Sequence, residues 1–535
     1  MRPPVTTPTT PPRVLISDDL SPAAVQIFKD RGLAVDVRPG MDKAELERII
    51  GAYDGLAIRS ATKVTEKLLS QADRLKVIGR AGIGVDNVDI KAATAKGIIV
   101  MNTPFGNSIT TAEHAITLML ALARQIPMAD RSTQAGKWEK SKFLGVEITA
   151  KTLGVIGCGN IGAIVADRAL GLKMKVAAFD PYLTEERAAS LGLDKVELDE
   201  LLRRADFITL HTPLTDKTRN ILDATALAKT KRGVRIINCA RGGLIDEAAL
   251  AAALKSGQVA GAALDVFLTE PAKENPLFGI DNVICTPHLG AATTEAQENV
   301  ALQVAEQMSD YLLTGAITNA INFPSISAED APKLRPYVKL AEQLGLFAGQ
   351  LTENAIKSVR VEYAGDVAQL NVKPLTAAAI AGVLRPLLSD VNMVSGLAVA
   401  KDRGMVVEEV TRSQDGAYES YVRLTIKTAT QERSVAGTVF SDGRPRIIQV
   451  KGIEMEAQFY PHMLYVTNSD KPGFIGRVGA LMGEVGINIA RLNLGRDKPG
   501  GDAIALIAID SRAGDDVIAR IRAFEHVNRV QRLEF

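Results

Sequence analysis

A chain of 535 residues is too long for one hydrophobic core, so three or four domains are expected. Its 63 basic and 62 acidic side chains nearly cancel, which removes any electrostatic reason to expect a nucleic acid or an anionic membrane as partner. Apolar residues (46%) and charged residues (23%) stand in the ordinary ratio of a globular protein, and no uncharged apolar stretch is long enough to span a bilayer.

Residues 1–12 are rich in proline and threonine and lack an apolar segment, so they read as a disordered tail and not as a signal peptide. From Val14 to Ile98 short apolar strands alternate with helix-sized segments, the pattern of βαβ units on a parallel sheet. The alternation restarts at Thr152 and runs through KVAAFDP, DFITLHTP, VRIINCARGG, GAALDVF and VICTPHLG, which makes 108–291 a second α/β unit. Two long helical patterns flank it. Ser108 is the expected N-cap of the first and Thr293 of the second, which ends at Gly315. Beyond a proline-punctuated linker, residues 328–455 read as an α+β domain. Residues 460–535 run strand, helix, strand, strand, helix, strand, the order of a ferredoxin-like βαββαβ module.

Cys158, Cys239 and Cys285 are odd in number and far apart, so neither a disulfide framework nor a metal site is indicated. A reducing, cytoplasmic setting fits them best.

One glycine turn carries chemistry. Gly157-Cys-Gly159-Asn160-Ile161-Gly162 follows an apolar strand and opens a helix, the arrangement in which a pyrophosphate meets a helix N-terminus. Eighteen residues on, the next strand ends in Asp180, placed to accept hydrogen bonds from ribose hydroxyls. No arginine follows it to welcome an extra phosphate; Pro181 and Tyr182 do. NAD is the expected cofactor, and a glycine-rich structural turn is the bland alternative.

Three later strands of the same unit lead to Arg241, Glu270 and His288. Ligands of open α/β sheets bind beyond the carboxyl ends of the strands, so the three side chains are expected in one crevice. Moving a hydride from a 2-hydroxy acid requires a base for the hydroxyl proton, which suits histidine. A carboxylate orients that imidazole, and an arginine fork binds the substrate carboxylate. Singly, each residue is more often structural; jointly, downstream of a dinucleotide turn, they read as a site.

The stretches NCARGGLIDEAAL, GAALDVFLTEP and TPHLGAATTEAQ resemble the signatures of the D-isomer-specific 2-hydroxyacid dehydrogenase family, over about residues 13–320. The resemblance implies two doubly wound parallel-sheet lobes. A Rossmann NAD lobe (108–291) would be inserted into a flavodoxin-like substrate lobe (13–107 and 292–322). It assigns catalysis to Arg241, Glu270 and His288. It assigns cofactor contacts to Gly157, Gly159, Asn160, Ile161, Gly162, Asp180, Thr212, Cys239, Arg241, Asp265, His288, Gly290 and Ala291.

In the first lobe Arg59 and Arg80 end strands facing the crevice, and Asn107 lies at the lobe junction. Two further arginines suit a second anionic group on the substrate, although on charge alone surface ion pairing is an equal reading. RSATKV, GRAGIGVDNVD, NTPFGNS and GKWEKSKFLGVE resemble the long-form branch of the family that oxidises 3-phospho-D-glycerate in serine synthesis. That branch implies substrate contacts from Arg59, Arg80, Asn107, Arg241 and His288, a homo-oligomer, and Lys142 reaching a neighbouring subunit. Ile83 departs from relatives that carry a threonine there, so no side-chain hydroxyl is available. The C-terminal module resembles an ACT regulatory domain, in which an amino acid binds at a domain-domain interface; Asp470 and Asn488 would hold L-serine as effector between paired modules, and a helix cap and a turn residue are the bland readings. Rival functions are a glyoxylate or hydroxypyruvate reductase, or a non-catalytic NAD-sensing protein.

Overall fold

The computed structural model describes residues 10–388, 391–413 and 418–535. Residues 1–9 of the expected tail lie outside the described residues; at its end, the Pro12 carbonyl accepts a hydrogen bond of 3.0 Å from the Ala34 N–H.

Five parallel strands, Arg13–Ile16, Ala34–Val37, Gly55–Ile58, Val77–Arg80 and Ile99–Met101, form the first sheet in the order second, first, third, fourth, fifth. Leu15, Ile16, Leu56, Ile58, Val77 and Ile78 are fully buried, as residues of a parallel sheet covered on both faces must be. The helix Thr294–Thr314 returns to this sheet from far along the chain, placing Val304 and Met308 in one apolar cluster with Val14, Ile16 and Val77. Its Thr293 hydroxyl accepts from the Ala296 N–H, and Gly315 closes it in the left-handed region, both as expected.

The second sheet has seven parallel strands, Thr152–Ile156, Lys175–Phe179, Asp194–Lys195, Phe207–Leu210, Val234–Asn238, Val259–Leu264 and Val283–Cys285. Their order is third, second, first, fourth, fifth, sixth, seventh, the doubly wound dinucleotide-binding order with one strand added. Two local expectations fail here. The cap before Ser108–Arg124 is Asn107, and Ser108 instead donates its hydroxyl to the Pro104 carbonyl. The long first helix also breaks at Gln125 (φ 55), because Pro127 has no N–H to continue the ladder; the Ala123 carbonyl is taken by the Val146 N–H instead.

A third, mixed sheet has six strands from Ile356–Gly365 to Ile453–Gln458 and packs on the helices Ala331–Gln350 and Lys373–Leu384. The fourth sheet is antiparallel, ordered Ile489–Arg496, Asp502–Ile509, His462–Ser469, Val527–Glu534. The period-two alternation of strands divides its side chains. Leu464, Val466, Ala505 and Ile507 face the module's own helices. Met463, Tyr465, Ile504 and Leu506 join the cluster of Leu340, Leu344 and Phe347, with the Phe347 and Tyr465 rings edge to face at 6.0 Å. One apolar cluster therefore runs from the first sheet to the last. Among the described residues no helix is long and apolar enough to cross a membrane.

Candidate active site

The strand Thr152–Ile156 runs into Gly157 (φ 92), where any Cβ would press to 2.6 Å from Thr212 Cγ2 and 2.7 Å from the His211 carbonyl oxygen. At Gly162 it would stand 2.0 Å from the Gly157 carbonyl oxygen. Both positions need glycine so that the helix Asn160–Gly171 can start hard against the strand end. Its cap, Gly159, supplies no side-chain acceptor, and nothing stands within 4 Å of where its Cβ would be. The N–H groups of Asn160, Ile161 and Gly162 thus remain for an anion, in the favourable field of the helix. Asp180 is fixed beside them, Oδ2 accepting from the Cys158 N–H and Oδ1 from the Tyr182 N–H, both at 2.8 Å. The Thr212 Oγ1 is buried without a partner. Cys239 is buried, and burial pushes its thiol far above its ordinary range, so it stays an uncharged thiol. Together these residues fit a dinucleotide. Cys285, unlike the other two cysteines, is exposed.

Val234–Asn238, Val259–Leu264 and Val283–Cys285 are adjacent, parallel and in register, Asn238 pairing with Leu264 and Leu264 with Cys285. Their carboxyl ends open at one level, and the chain beyond them carries Arg241, Glu270 and His288. His288 Nδ1 lies 2.7 Å from Glu270 Oε2, while Glu270 Oε1 accepts from the Phe267 N–H at 3.0 Å. Burial alone would raise the Glu270 carboxyl; the bonds from His288 and Phe267 outweigh it and hold the group below its ordinary range. The same Glu270 bond is the largest influence on His288 and lifts it above its ordinary range against the effect of burial. The His288 side chain is 52% exposed, with Nδ1 turned to the carboxylate and Nε2 bonded by no described residue.

Asp265 lies beneath this loop, fully buried. Its Oδ1 accepts from the Leu289 N–H (2.7 Å) and the Thr286 hydroxyl (2.6 Å), and its Oδ2 from the Gly290 N–H (2.8 Å). His114 Nε2 stands 3.3 Å from Oδ1, and the Asp265 carbonyl accepts the His288 N–H at 2.9 Å. The Gly290 carbonyl, just before Ala291, takes the Thr111 hydroxyl at 2.9 Å. The family resemblance pointed Asp265 toward the cofactor; its contacts with Thr286, Leu289, Gly290 and His288 shape the turn that presents His288. Asn238 does the same for Arg241, donating to the Arg241 carbonyl and accepting the Ala240 N–H.

Across the crevice, Ile58 pairs with Arg80, so Arg59 and Arg80 leave neighbouring strands at about one level. Burial, and then the nearby Arg241 charge, push the Arg80 guanidinium down to about 10; Arg59 and Asp86 are also within electrostatic reach of it. Arg80 Nε is buried without a partner. Arg241 donates from Nε to Asp86 Oδ2 at 3.0 Å and from Nη1 to the Ala240 carbonyl at 2.7 Å, so this ion pair joins the two lobes. A Cβ on Gly84 would stand 2.0 Å from Arg241 Nη2, which shows how closely the loop covers the guanidinium. Sequence reasoning missed Asp86, since nothing local announces an acid whose partner lies 155 residues away. Ile83 contributes its carbonyl, which accepts from Asn102 Nδ2 at 2.6 Å. Asn107 is buried, its Oδ1 without a partner.

Asp470 and Asn488 are not brought together. Ser469 pairs with Asp502 and Ile489 with Ile509, so the two residues lie just beyond opposite ends of the strand Asp502–Ile509, about 30 Å apart along it at the usual rise. Asp470 Oδ2 accepts from Arg496 Nη1 (2.7 Å) and the Gly500 N–H (3.0 Å), while Asn488 donates to Asp510 (2.8 Å). The following helix, Phe474–Glu484, starts on Gly473, so Pro472 lies outside its first turn and Asp470 is not its cap.

Residues 116–290 match the family model described as D-isomer specific 2-hydroxyacid dehydrogenase, NAD binding domain. Residues 333–451 match the D-3-phosphoglycerate dehydrogenase intervening domain, and 462–526 the ACT domain. The chain is 45% identical over 511 residues to a D-3-phosphoglycerate dehydrogenase of Synechocystis, covering 95% of this chain and 92% of that one. It is 42% identical to the protein of that name from Archaeoglobus fulgidus, covering 96% and 98%. Among solved structures, a D-lactate dehydrogenase from Aquifex aeolicus complexed with NAD and lactic acid superposes with a TM-score of 0.51 at 29% identity, over 58% of this chain and all of that one. With full-length similarity, three matching domains and a dinucleotide cradle in place, the chain belongs to the D-3-phosphoglycerate dehydrogenase family and is an NAD-dependent oxidoreductase.

Proposed function

We propose that the chain oxidises 3-phospho-D-glycerate to 3-phosphooxypyruvate, the step that commits carbon to L-serine. The observation that carries this reading is the grouping of Arg59, Arg80 and Arg241 near the His288–Glu270 pair. Arg241 binds the substrate carboxylate, and Arg80 and Arg59 take the phosphate, with Asn107 lining the junction. Arg80 Nε, buried and unpaired, is the kind of donor that an anion satisfies. Bound NAD would supply the acceptor for the hydride of C2. His288 Nε2 takes the hydroxyl proton as general base. Glu270 holds Nδ1–H, which leaves Nε2 bare, and it stabilises the imidazolium once formed. The cofactor would rest on Gly157–Gly162, Asp180, Thr212, Cys239 and the Gly290-Ala291 backbone, against the turn that Asp265 organises.

NADH formation from 3-phosphoglycerate, measured against pH, tests the reading. Because His288 must be neutral to accept a proton and Glu270 raises it, oxidation is expected to climb with pH through an inflection above histidine's ordinary value and then level off. Keto-acid reduction, which needs the imidazolium, should decline over the same interval. Glu270→Gln should move the inflection downward. Faster turnover of an unphosphorylated hydroxy acid than of 3-phosphoglycerate would overturn the substrate assignment.

We further infer that the ACT domain binds L-serine between two copies of the chain. Asp470 of one copy and Asn488 of the other would share the ligand, since they stand at opposite ends within each copy. The exposed Trp138 and Leu144, beside Lys142, support a homo-oligomer, and three free cysteines support a cytoplasmic setting. Added serine should slow NADH formation; if it neither slows turnover nor shifts the thermal transition, this part of the reading fails.

A further inference from the structure

The turn that carries Arg59 is held from two sides. On one side Asp18, almost fully buried, accepts from the Arg59 N–H (2.6 Å), the Thr62 N–H (3.1 Å) and the Thr62 hydroxyl (2.5 Å). On the other, Asn87 Nδ2 donates to the Arg59 carbonyl at 2.7 Å and to the Thr62 carbonyl at 2.6 Å, using both hydrogens of one amide. The Asn87 carbonyl in turn accepts the Val64 N–H at 2.8 Å. Its neighbour Asp86 meets Arg241 across the crevice. The start of the same loop is pinned as well, Gly82 N–H to the Thr103 hydroxyl and the Ile83 carbonyl to Asn102, each at 2.6 Å. One short, fixed loop therefore touches the Arg59 turn at one residue and Arg241 at the residue before it.

We propose that Asn87 is a positioning residue that sets the spacing between Arg59 and Arg241, and thereby selects hydroxy acids carrying a phosphate. The inference rests on the reading that Arg59 takes the substrate phosphate and Arg241 its carboxylate. Only an amide satisfies the local requirement. Two carbonyls of the turn face a single side-chain nitrogen, so aspartate at 87 would set a carboxylate against both, and alanine would leave both without a donor. Either change frees the Arg59 turn on one side while Asp18 still holds the other. The fork of Arg241, folded by Asn238, is untouched.

The test compares 3-phosphoglycerate with D-glycerate, the same hydroxy acid without the phosphate, in Asn87→Ala, Asn87→Asp and Arg59→Gln. KM for 3-phosphoglycerate is expected to rise roughly tenfold in both Asn87 variants, with kcat, NAD affinity and kcat/KM for D-glycerate little changed. Adding Asn87→Ala to Arg59→Gln should have almost no further effect, because the two act on one contact. If Arg59→Gln leaves the preference for the phosphorylated acid intact, the phosphate reading itself is wrong. If Arg59→Gln removes the preference and the Asn87 variants do not, the positioning role alone is overturned. An equal loss on both acids makes Asn87 a structural residue and also overturns it.

Discussion

His288→Asn is expected to lower turnover of 3-phosphoglycerate by roughly a hundredfold to ten-thousandfold, the range that a general base contributes, while NAD affinity and the thermal transition stay nearly unchanged. Asparagine is the informative replacement for a backbone reason. His288 has φ 57, a left-handed conformation that asparagine tolerates better than alanine or any branched residue. The turn on Asp265 should therefore survive the change, and the loss will measure proton transfer and not strain. Asparagine also lacks a group that titrates near neutrality, so whatever activity remains should lose the inflection assigned to His288. NADH formation under saturating substrate reads the first effect, and titration calorimetry with NAD reads the second. Turnover within a few fold of the parent would remove His288 from the role of base. A large loss of NAD affinity would mean instead that its main task is to shape the cofactor face.

How much of this was legible before the structure varies by the distance over which each signal acts. The dinucleotide cradle was legible because its parts are contiguous: strand, glycine turn and helix follow one another, and Asp180 ends the next strand. Arg241, Glu270 and His288 were legible as a group because each follows a successive strand of the same sheet, and parallel neighbours in register put their carboxyl ends side by side. What escaped depends on partners distant in the chain. Asp86 gains its meaning only from Arg241 across the crevice, and Asn87 only from two carbonyls of another turn. The separation of Asp470 from Asn488 follows from the split order already legible in the ferredoxin-like module: the strands beginning at His462 and Ile489 follow each other in the chain, and the strand Asp502–Ile509 lies between them. The break at Gln125 was visible in principle, since Pro127 forbids the hydrogen bond that a continuous helix requires.

Asp265→Asn is expected to cost roughly 2–5 kcal/mol of stability and most of the turnover, although Asp265 itself reaches no reacting atom in the proposed chemistry. The carboxylate is fully buried and takes three donors from the protein, the Leu289 and Gly290 N–H groups and the Thr286 hydroxyl, with His114 close by. Burial works against its charge, yet hydrogen bonding and the nearby His114 still hold the carboxyl below its ordinary range. An asparagine of the same shape must turn its NH2 toward one of these donors, leaving two donors face to face in a fully buried site. The segment Thr286–Gly290 then loses its anchor on the Asp265 carboxylate and keeps the bonds that the His288 N–H donates to the Asp265 carbonyl and the Thr111 hydroxyl to the Gly290 carbonyl, and it carries His288. Thermal unfolding should show a fall of several degrees, and kcat should drop with it. This outcome differs from that of a residue whose task is direct contact with the cofactor, where NAD affinity would fall with the thermal transition unmoved. It differs equally from His288→Asn, where the transition stays and only turnover goes. Unchanged stability in Asp265→Asn would show that the loop is held by something other than the buried carboxylate, and the geometry of the site would then need another organiser.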